Sequence, residues 1–167
     1  MLPLVFNSHS IKVGLAGQGE PLARRAALLA EAGLEARLLS SDASEAVLEP
    51  LQLLFVAGLP ESEARTLASR AKALRVLVNV EDVPPLCDFH IPAQVRRGDL
   101  LLTVSTGGTA PGLARRLREW LAENFGPEWI GRLKELSSAR ARFRSAGCGP
   151  AEVSQKVRDL IAENGWL

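Results

Sequence analysis

The chain has 167 residues, 47% of them hydrophobic, with a formal net charge of +1, two cysteines and no tyrosine. That length and apolar content support one domain, or one domain with an appendage, around an aliphatic core. The near-neutral balance argues against a uniformly basic nucleic-acid binder, two isolated thiols make neither a disulfide framework nor a zinc site, and no apolar run approaches the ~18 residues of a membrane span.

In chain order, residues 2–6 form a short apolar lead-in, without the basic region and long apolar core of a signal peptide, so a soluble cytoplasmic protein is expected. Residues 11–16 read as the first core strand. Gly17-Gln18-Gly19 follows, then Glu20 and Pro21, which suits a first helical turn. A helix is predicted over 22–32, with Leu22, Ala26, Leu29 and Ala30 at helical spacing and Gly33 as its stop. Residues 36–39 are a second strand, ending at Ser40-Ser41-Asp42. This is the first half of a dinucleotide-binding unit. Small residues let the backbone approach a pyrophosphate, and the helix N-terminus supplies partial positive charge. The fingerprint is incomplete, because Leu22 stands where a small residue belongs, Pro21 has no N–H and Glu20 adds negative charge. A purely structural strand-to-helix turn is the alternative reading of this stretch.

Residues 43–49 are a brief link, 51–57 a third buried strand, 60–74 a helix with acidic residues in its first turn, and 76–80 a fourth strand. Alternation of this kind implies a right-handed, mostly parallel sheet, whose ligands gather at the carboxyl ends of its strands. By that rule Gly17–Glu20, Ser40–Asp42, Ala57-Gly58 and Glu81-Asp82 share one edge. After a proline-rich loop, strands are predicted over 89–95 and 100–104. The turn Ser105-Thr106-Gly107-Gly108 then leads into a helix from Pro111 to about Asn124, and two more helices cover 127–145 and 150–164. The fold class is therefore α/β, with a Rossmann-like domain over 1–92 and a second, mainly helical region over 93–167. Charge is uneven: residues 1–89 hold 8 Lys/Arg against 11 Asp/Glu, and residues 90–145 hold 10 against 5. The basic half favours an anionic partner, unless its charges only solvate helix faces.

Asp82 and the Ser105–Gly108 turn are the candidate chemistry, as a general base and a nest of backbone N–H donors. The bland alternatives are a turn-capping aspartate and a tight turn capped by Thr106 or Thr109. Arg96, Arg97, Arg115, Arg116 and Arg118 could grip carboxylates. Asp88 reads as a loop or cap residue and Cys87 as a small buried hydrophobe. His90, predicted in a strand, is a weak candidate for a proton shuttle or metal contact. Trp120, Trp129 and Trp166 are read as helical core or dimer contacts.

The pieces Leu2-Pro3-Leu4, Arg24-Arg25 after the glycine turn, V-N-V-E-D-V-P, C-D-F-H-I-P-A, R-R-G-D-L and V-S-T-G-G-T-A-P-G-L-A-R-R-L-R-E come in a specific order. In that order they resemble the siroheme synthase N-terminal module, the precorrin-2 dehydrogenase and sirohydrochlorin ferrochelatase family. The resemblance covers most of residues 2–130. It implies a Rossmann-like NAD domain, a dimerisation segment and a helical domain, in a homodimer that binds no nucleic acid or membrane. It also implies oxidation of the tetrapyrrole precorrin-2 to sirohydrochlorin with NAD, and in many members insertion of Fe²⁺. On this reading Asp82 is the acid/base. NAD contacts fall on Gly17, Gln18, Gly19, Glu20, Pro21, Ser41, Asp42, Ala57 and Gly58. Substrate contacts fall on Ser105, Thr106, Gly107, Gly108 and Arg115. The chain departs from the family pattern at the glycine turn, in the shortened stretch 40–50, and at Val56–Pro60, with Ala64 where the family often has asparagine. A relative that handles tetrapyrroles without NAD, as chelatase or carrier, is the alternative, and a bare interaction domain is the third class.

Overall fold

The structure is a computed structural model that describes residues 2–167. The chain divides into two compact units, the first ending at Ile91 and the second running from Pro92 to Leu167.

In the first unit four strands, β1 (Val13–Gly17), β2 (Ala36–Leu39), β3 (Leu53–Ala57) and β4 (Leu77–Val80), form a parallel sheet in the order β2-β1-β3-β4. All five residues of β3 are buried, as expected of a central parallel strand covered on both faces. Two helices provide the cover. Helix α1 (Gly19–Glu31) brings Leu22, Ala26 and Leu29 against Val13, Leu15, Leu53 and Phe55. A single turn, α2 (Glu45–Leu48), precedes β3, and α3 (Glu61–Ala73) follows it. On the other face, α3 sets Ala64, Leu67, Ala68 and Ala71, at helical spacing, on the cluster containing Leu54, Val56, Val78 and Val80. The chain leaves β1 toward β2 and leaves β3 toward β4. The carboxyl ends of the adjacent β1 and β3 therefore flank the topological switch point, where ligands of such sheets bind. The short 40–50 stretch leaves β2 at the sheet edge with Leu38 68% exposed.

The loop after β4 folds back along that strand and satisfies its outer edge. Asp88 Oδ2 accepts from the Val78 amide at 2.9 Å, and the Asp88 amide donates to the Val78 carbonyl at 2.8 Å. The Val80 amide donates to Cys87 Sγ at 3.3 Å, and the thiol donates back to the Val80 carbonyl at 3.1 Å. Cys87 thus does more than fill space, since it closes part of an unpaired strand edge. Lys72 Nζ sits 2.8 Å from Asp88 Oδ1 and fixes the carboxylate. Asp88→Ala leaves the buried Val78 amide without a partner. We expect it to cost about 1–3 kcal/mol, read as a lower urea midpoint with an unchanged slope.

The strand expected from residue 89 begins only at Ala93. Asn79, the one buried polar residue among the described core residues, donates from Nδ2 to the Phe89 carbonyl at 2.9 Å. The Phe89 ring packs edge-on against Phe55 at 5.3 Å. These contacts hold residues 88–91 to the first unit as a loop, and His90 is exposed on it, not in a strand.

The second unit opens with an antiparallel hairpin, β5 (Ala93–Arg97) and β6 (Leu100–Val104). Three helices follow: α4 (Pro111–Asn124), α5 (Trp129–Ser145) and α6 (Pro150–Glu163). Arg97 caps the C-terminal end of α4, donating to the carbonyls of Phe125 at 2.7 Å and Ala122 at 3.2 Å. Helix α5 starts two residues later than predicted. Trp166 lies beyond the end of α6, where Arg132 is 5.0 Å from the Trp129 ring and 5.5 Å from the Trp166 ring. Trp129 is buried, but Trp120 is 49% exposed. No described helix is long and apolar enough to cross a membrane.

Candidate functional site

The glycine turn packs directly on the end of β3. The Gln18 amide donates to the Ala57 carbonyl at 3.1 Å. A Cβ on Gly17 would lie 1.8 Å from that carbonyl oxygen, and one on Gly58, where φ is +74°, would lie 2.3 Å from the Gln18 oxygen. No side chain fits between the two backbones. Helix α1 begins from an extended Gln18 and has no side-chain cap, so the first-turn N–H groups of Gly19 and Glu20 remain available. Pro21 offers none. Glu20 is paired with Arg24 at 3.0 Å, which offsets its charge beside the turn. Such a cradle fits a dinucleotide pyrophosphate, with fewer donors than a full fingerprint turn would give.

Ser41 and Asp42 stand just past the end of β2, on the same sheet edge. The Ser40 hydroxyl hydrogen-bonds Asp42 Oδ1 and holds that exposed carboxyl below the usual aspartate range.

Asp82 follows β4 on the same edge, one residue after the Glu81 amide donates to the Val56 carbonyl at 2.9 Å. Its φ of +59° is a left-handed value that aspartate tolerates better than most residues. The Asp82 carboxylate takes part in no hydrogen bond among the described residues and is exposed. It lines a cleft of about 290 Å³ with Arg25, Asn79, Glu81, Cys87 and His90. Arg25 reaches this cleft from α1 with its side chain only 13% exposed. It lies 3.8 Å from Glu81 and 5.6 Å from the Phe55 ring centroid. Burial pulls its guanidinium below the usual arginine value, and Glu81 pushes the other way. Sequence reading named Arg25 only as part of the motif after the glycine turn and gave it no role, although a signal was present: a cation on the apolar stripe of Leu22, Ala26 and Leu29.

In the second unit, Ser105–Gly108 forms its own turn. The Gly107 amide donates to Ser105 Oγ at 3.3 Å, and the Ala110 amide to Thr106 Oγ1 at 3.3 Å. Thr109 Oγ1 donates to the Thr106 carbonyl at 2.6 Å. Gly107 and Gly108 have φ of +65° and +81°, which turns the chain into α4. The Thr106 hydroxyl is therefore already engaged by the amide of Ala110, the residue before α4, though it caps no first-turn amide of that helix. Arg115 is 79% exposed and hydrogen-bonded to Glu119 at 3.1 Å, and Arg116 and Arg118 lie 3.9 Å from the same carboxylate. Of the five arginines considered from sequence, Arg97 is taken by the α4 cap. Among the described residues no three His, Cys, Asp or Glu side chains gather to hold a metal ion.

Residues 4–93 match a family model described as "Putative NAD(P)-binding". The siroheme synthase of Methylobacillus flagellatus is 34% identical over 165 residues, covering 87% of this chain and 34% of that protein. The siroheme synthase of Nitrosococcus oceani is 32% identical over 181 residues, covering 96% of this chain and 36% of that one. The chain thus spans about a third of the length of these curated relatives. A solved structure described as SirC, precorrin-2 dehydrogenase, matches with a TM-score of 0.74 over 96% of this chain and 89% of that chain, at 19% identity, which is a likeness of fold. With a family model over residues 4–93, the chain belongs to this NAD(P)-binding family, and siroheme synthases are among the relatives it is similar to.

Proposed function

We propose that this chain oxidises precorrin-2 to sirohydrochlorin in siroheme synthesis, with NAD as hydride acceptor. The observation that carries the reading is Asp82: an unengaged carboxylate opening on a cleft, on the same sheet edge as a glycine turn too tight for any side chain. A bound NAD would supply the acceptor for the two electrons and one proton that leave the substrate as hydride. The second proton leaves the substrate for the Asp82 carboxylate. The free amides of Gly19 and Glu20 would hold the pyrophosphate, while Gly17, Gln18, Pro21, Ala57 and Gly58 shape the tight turn that lets it approach. Ser41 and Asp42, just past β2, would hold the adenosine ribose. A carboxylate there accepts from ribose hydroxyls and repels a 2′-phosphate, which favours NAD over NADP. Considered within the second unit alone, the Ser105–Gly108 turn (Ser105, Thr106, Gly107 and Gly108) and Arg115, on exchanging Glu119, can each take a carboxylate. The first unit is then the nucleotide domain, and the second the dimerisation and helical domain.

Ferrous iron insertion into sirohydrochlorin is a second reading, favoured by His90 and Asp82 lining one cleft. There the carboxylate would take pyrrole protons as Fe²⁺, a substrate, enters. A homodimer is supported by Leu113, Leu117 and Trp120, which are 54%, 40% and 49% exposed at helical spacing along α4. The test is titration with NAD and NADP, followed by anaerobic turnover of precorrin-2. We expect NAD to bind more tightly than NADP, and NADH and sirohydrochlorin to appear together. Siroheme formed from sirohydrochlorin and Fe²⁺ without any NAD binding would instead identify a chelatase that works without the nucleotide.

A further inference from the structure

Helix α1 turns an apolar stripe, Leu22, Ala26 and Leu29, toward the sheet. Arg25 shares that side and is largely withdrawn from water. Its nitrogens still reach water, since the buried side-chain nitrogens without a partner among the described residues are Arg96 Nε and Trp129 Nε1, so an anion can approach its five donors. Among the described residues Arg25 makes no hydrogen bond. Its nearest carboxylate oxygen, on Glu81, is 3.8 Å away, too far to accept one, and Glu81 is shared with Arg24 at 3.7 Å. One carboxylate thus faces two cations. The Phe55 ring supports the guanidinium from one side. In contrast, Arg97 is spent on carbonyls of the α4 end, and Arg115 is hydrogen-bonded to Glu119.

We propose that Arg25 binds a carboxylate arm of the substrate in the Asp82 cleft. Its fork lines that cleft, is backed by an aromatic ring and lacks a hydrogen-bonded partner, which suits a two-point grip on a carboxylate. Gripping the arm there fixes the macrocycle edge beside the group that accepts its proton. This inference rests on the reading that the substrate is a polycarboxylate tetrapyrrole.

The experiment titrates uroporphyrin, a multiply carboxylated macrocycle, and separately NAD, into the wild-type chain and into Arg25→Gln, Arg25→Lys and Glu81→Gln. We expect Arg25→Gln to weaken uroporphyrin binding about 10- to 100-fold with NAD affinity unchanged. Arg25→Lys should fall between, because an ammonium keeps the charge and loses the fork. Glu81→Gln should bind uroporphyrin as tightly as wild type or more tightly, since it removes a competitor for the guanidinium. Uroporphyrin binding undiminished in Arg25→Gln overturns the inference and leaves the proposed function standing. A wild-type chain that binds NAD but not uroporphyrin overturns both. If Arg25→Gln also loses NAD, it has lost its fold, and Arg25→Lys decides: weaker uroporphyrin with normal NAD supports the grip, and unchanged uroporphyrin refutes it. A loss in Glu81→Gln equal to that in Arg25→Gln means that Arg25 merely holds Glu81, and refutes it too.

Discussion

Asp82→Asn is expected to slow precorrin-2 oxidation by about 10²- to 10⁴-fold, the usual contribution of a positioned general base, while NAD binds as before. Asparagine is the informative replacement. Position 82 has φ of +59°, and asparagine accepts that conformation, whereas alanine adds backbone strain that would blur loss of chemistry with loss of structure. The carboxylate is exposed and supports no hydrogen bond among the described residues, so its amide isostere leaves the loop contacts of Cys87, Asp88 and Asn79 in place. Single-turnover absorbance under anaerobic conditions measures the rate, and a thermal melt checks the fold. A variant that keeps most of its rate would reduce Asp82 to a turn residue.

The parallel sheet was legible because buried strands announce themselves as short apolar runs between turns. Residues 36–39 and the helix at 111–124 have the bounds read from sequence, with Gly and Pro marking the latter's start. What could not be read depended on side chains reaching across the sequence. Residues 89–91 have the apolar pattern of a strand. Asn79 claims the Phe89 carbonyl and Phe55 claims its ring, and tertiary contact overrides propensity there. The role of Cys87 depended on which β4 amides point outward, which the register reveals and composition does not. The start of α1 at Gly19, ahead of Leu22, was hidden because the backbone of the turn sets it, not the apolar stripe. At the candidate site, the carboxylates that follow β1, β2 and β4, namely Glu20, Asp42 and Asp82, were visible as sequence. Arg25 was obscured by being paired in sequence with Arg24, which is 56% exposed and looks like its equal. Burial separates the two, and only packing determines burial.

Gly17→Ala is expected to destabilise the first unit by about 3 kcal/mol, the upper part of the ordinary overpacking range, and to abolish NAD binding. The added methyl would sit 1.8 Å from the Ala57 carbonyl oxygen. The obstacle is backbone of a neighbouring strand, so no rotamer change relieves it. Relief requires β1 and β3 to move apart at their carboxyl ends, which also breaks the Gln18-to-Ala57 hydrogen bond that seats the turn. The same displacement pulls the α1 N-terminus away from the place where a pyrophosphate would lie, so stability and nucleotide affinity should fall together. Gly112→Ala is the matched control. Its Cβ meets nothing within 4 Å, and it lies in the first turn of α4, where alanine should be neutral or stabilise by up to about 1 kcal/mol. Urea denaturation and NAD titration of both variants give the comparison. Equal behaviour of the two would mean that the turn tolerates a side chain, and that its closeness to β3 does not govern nucleotide binding.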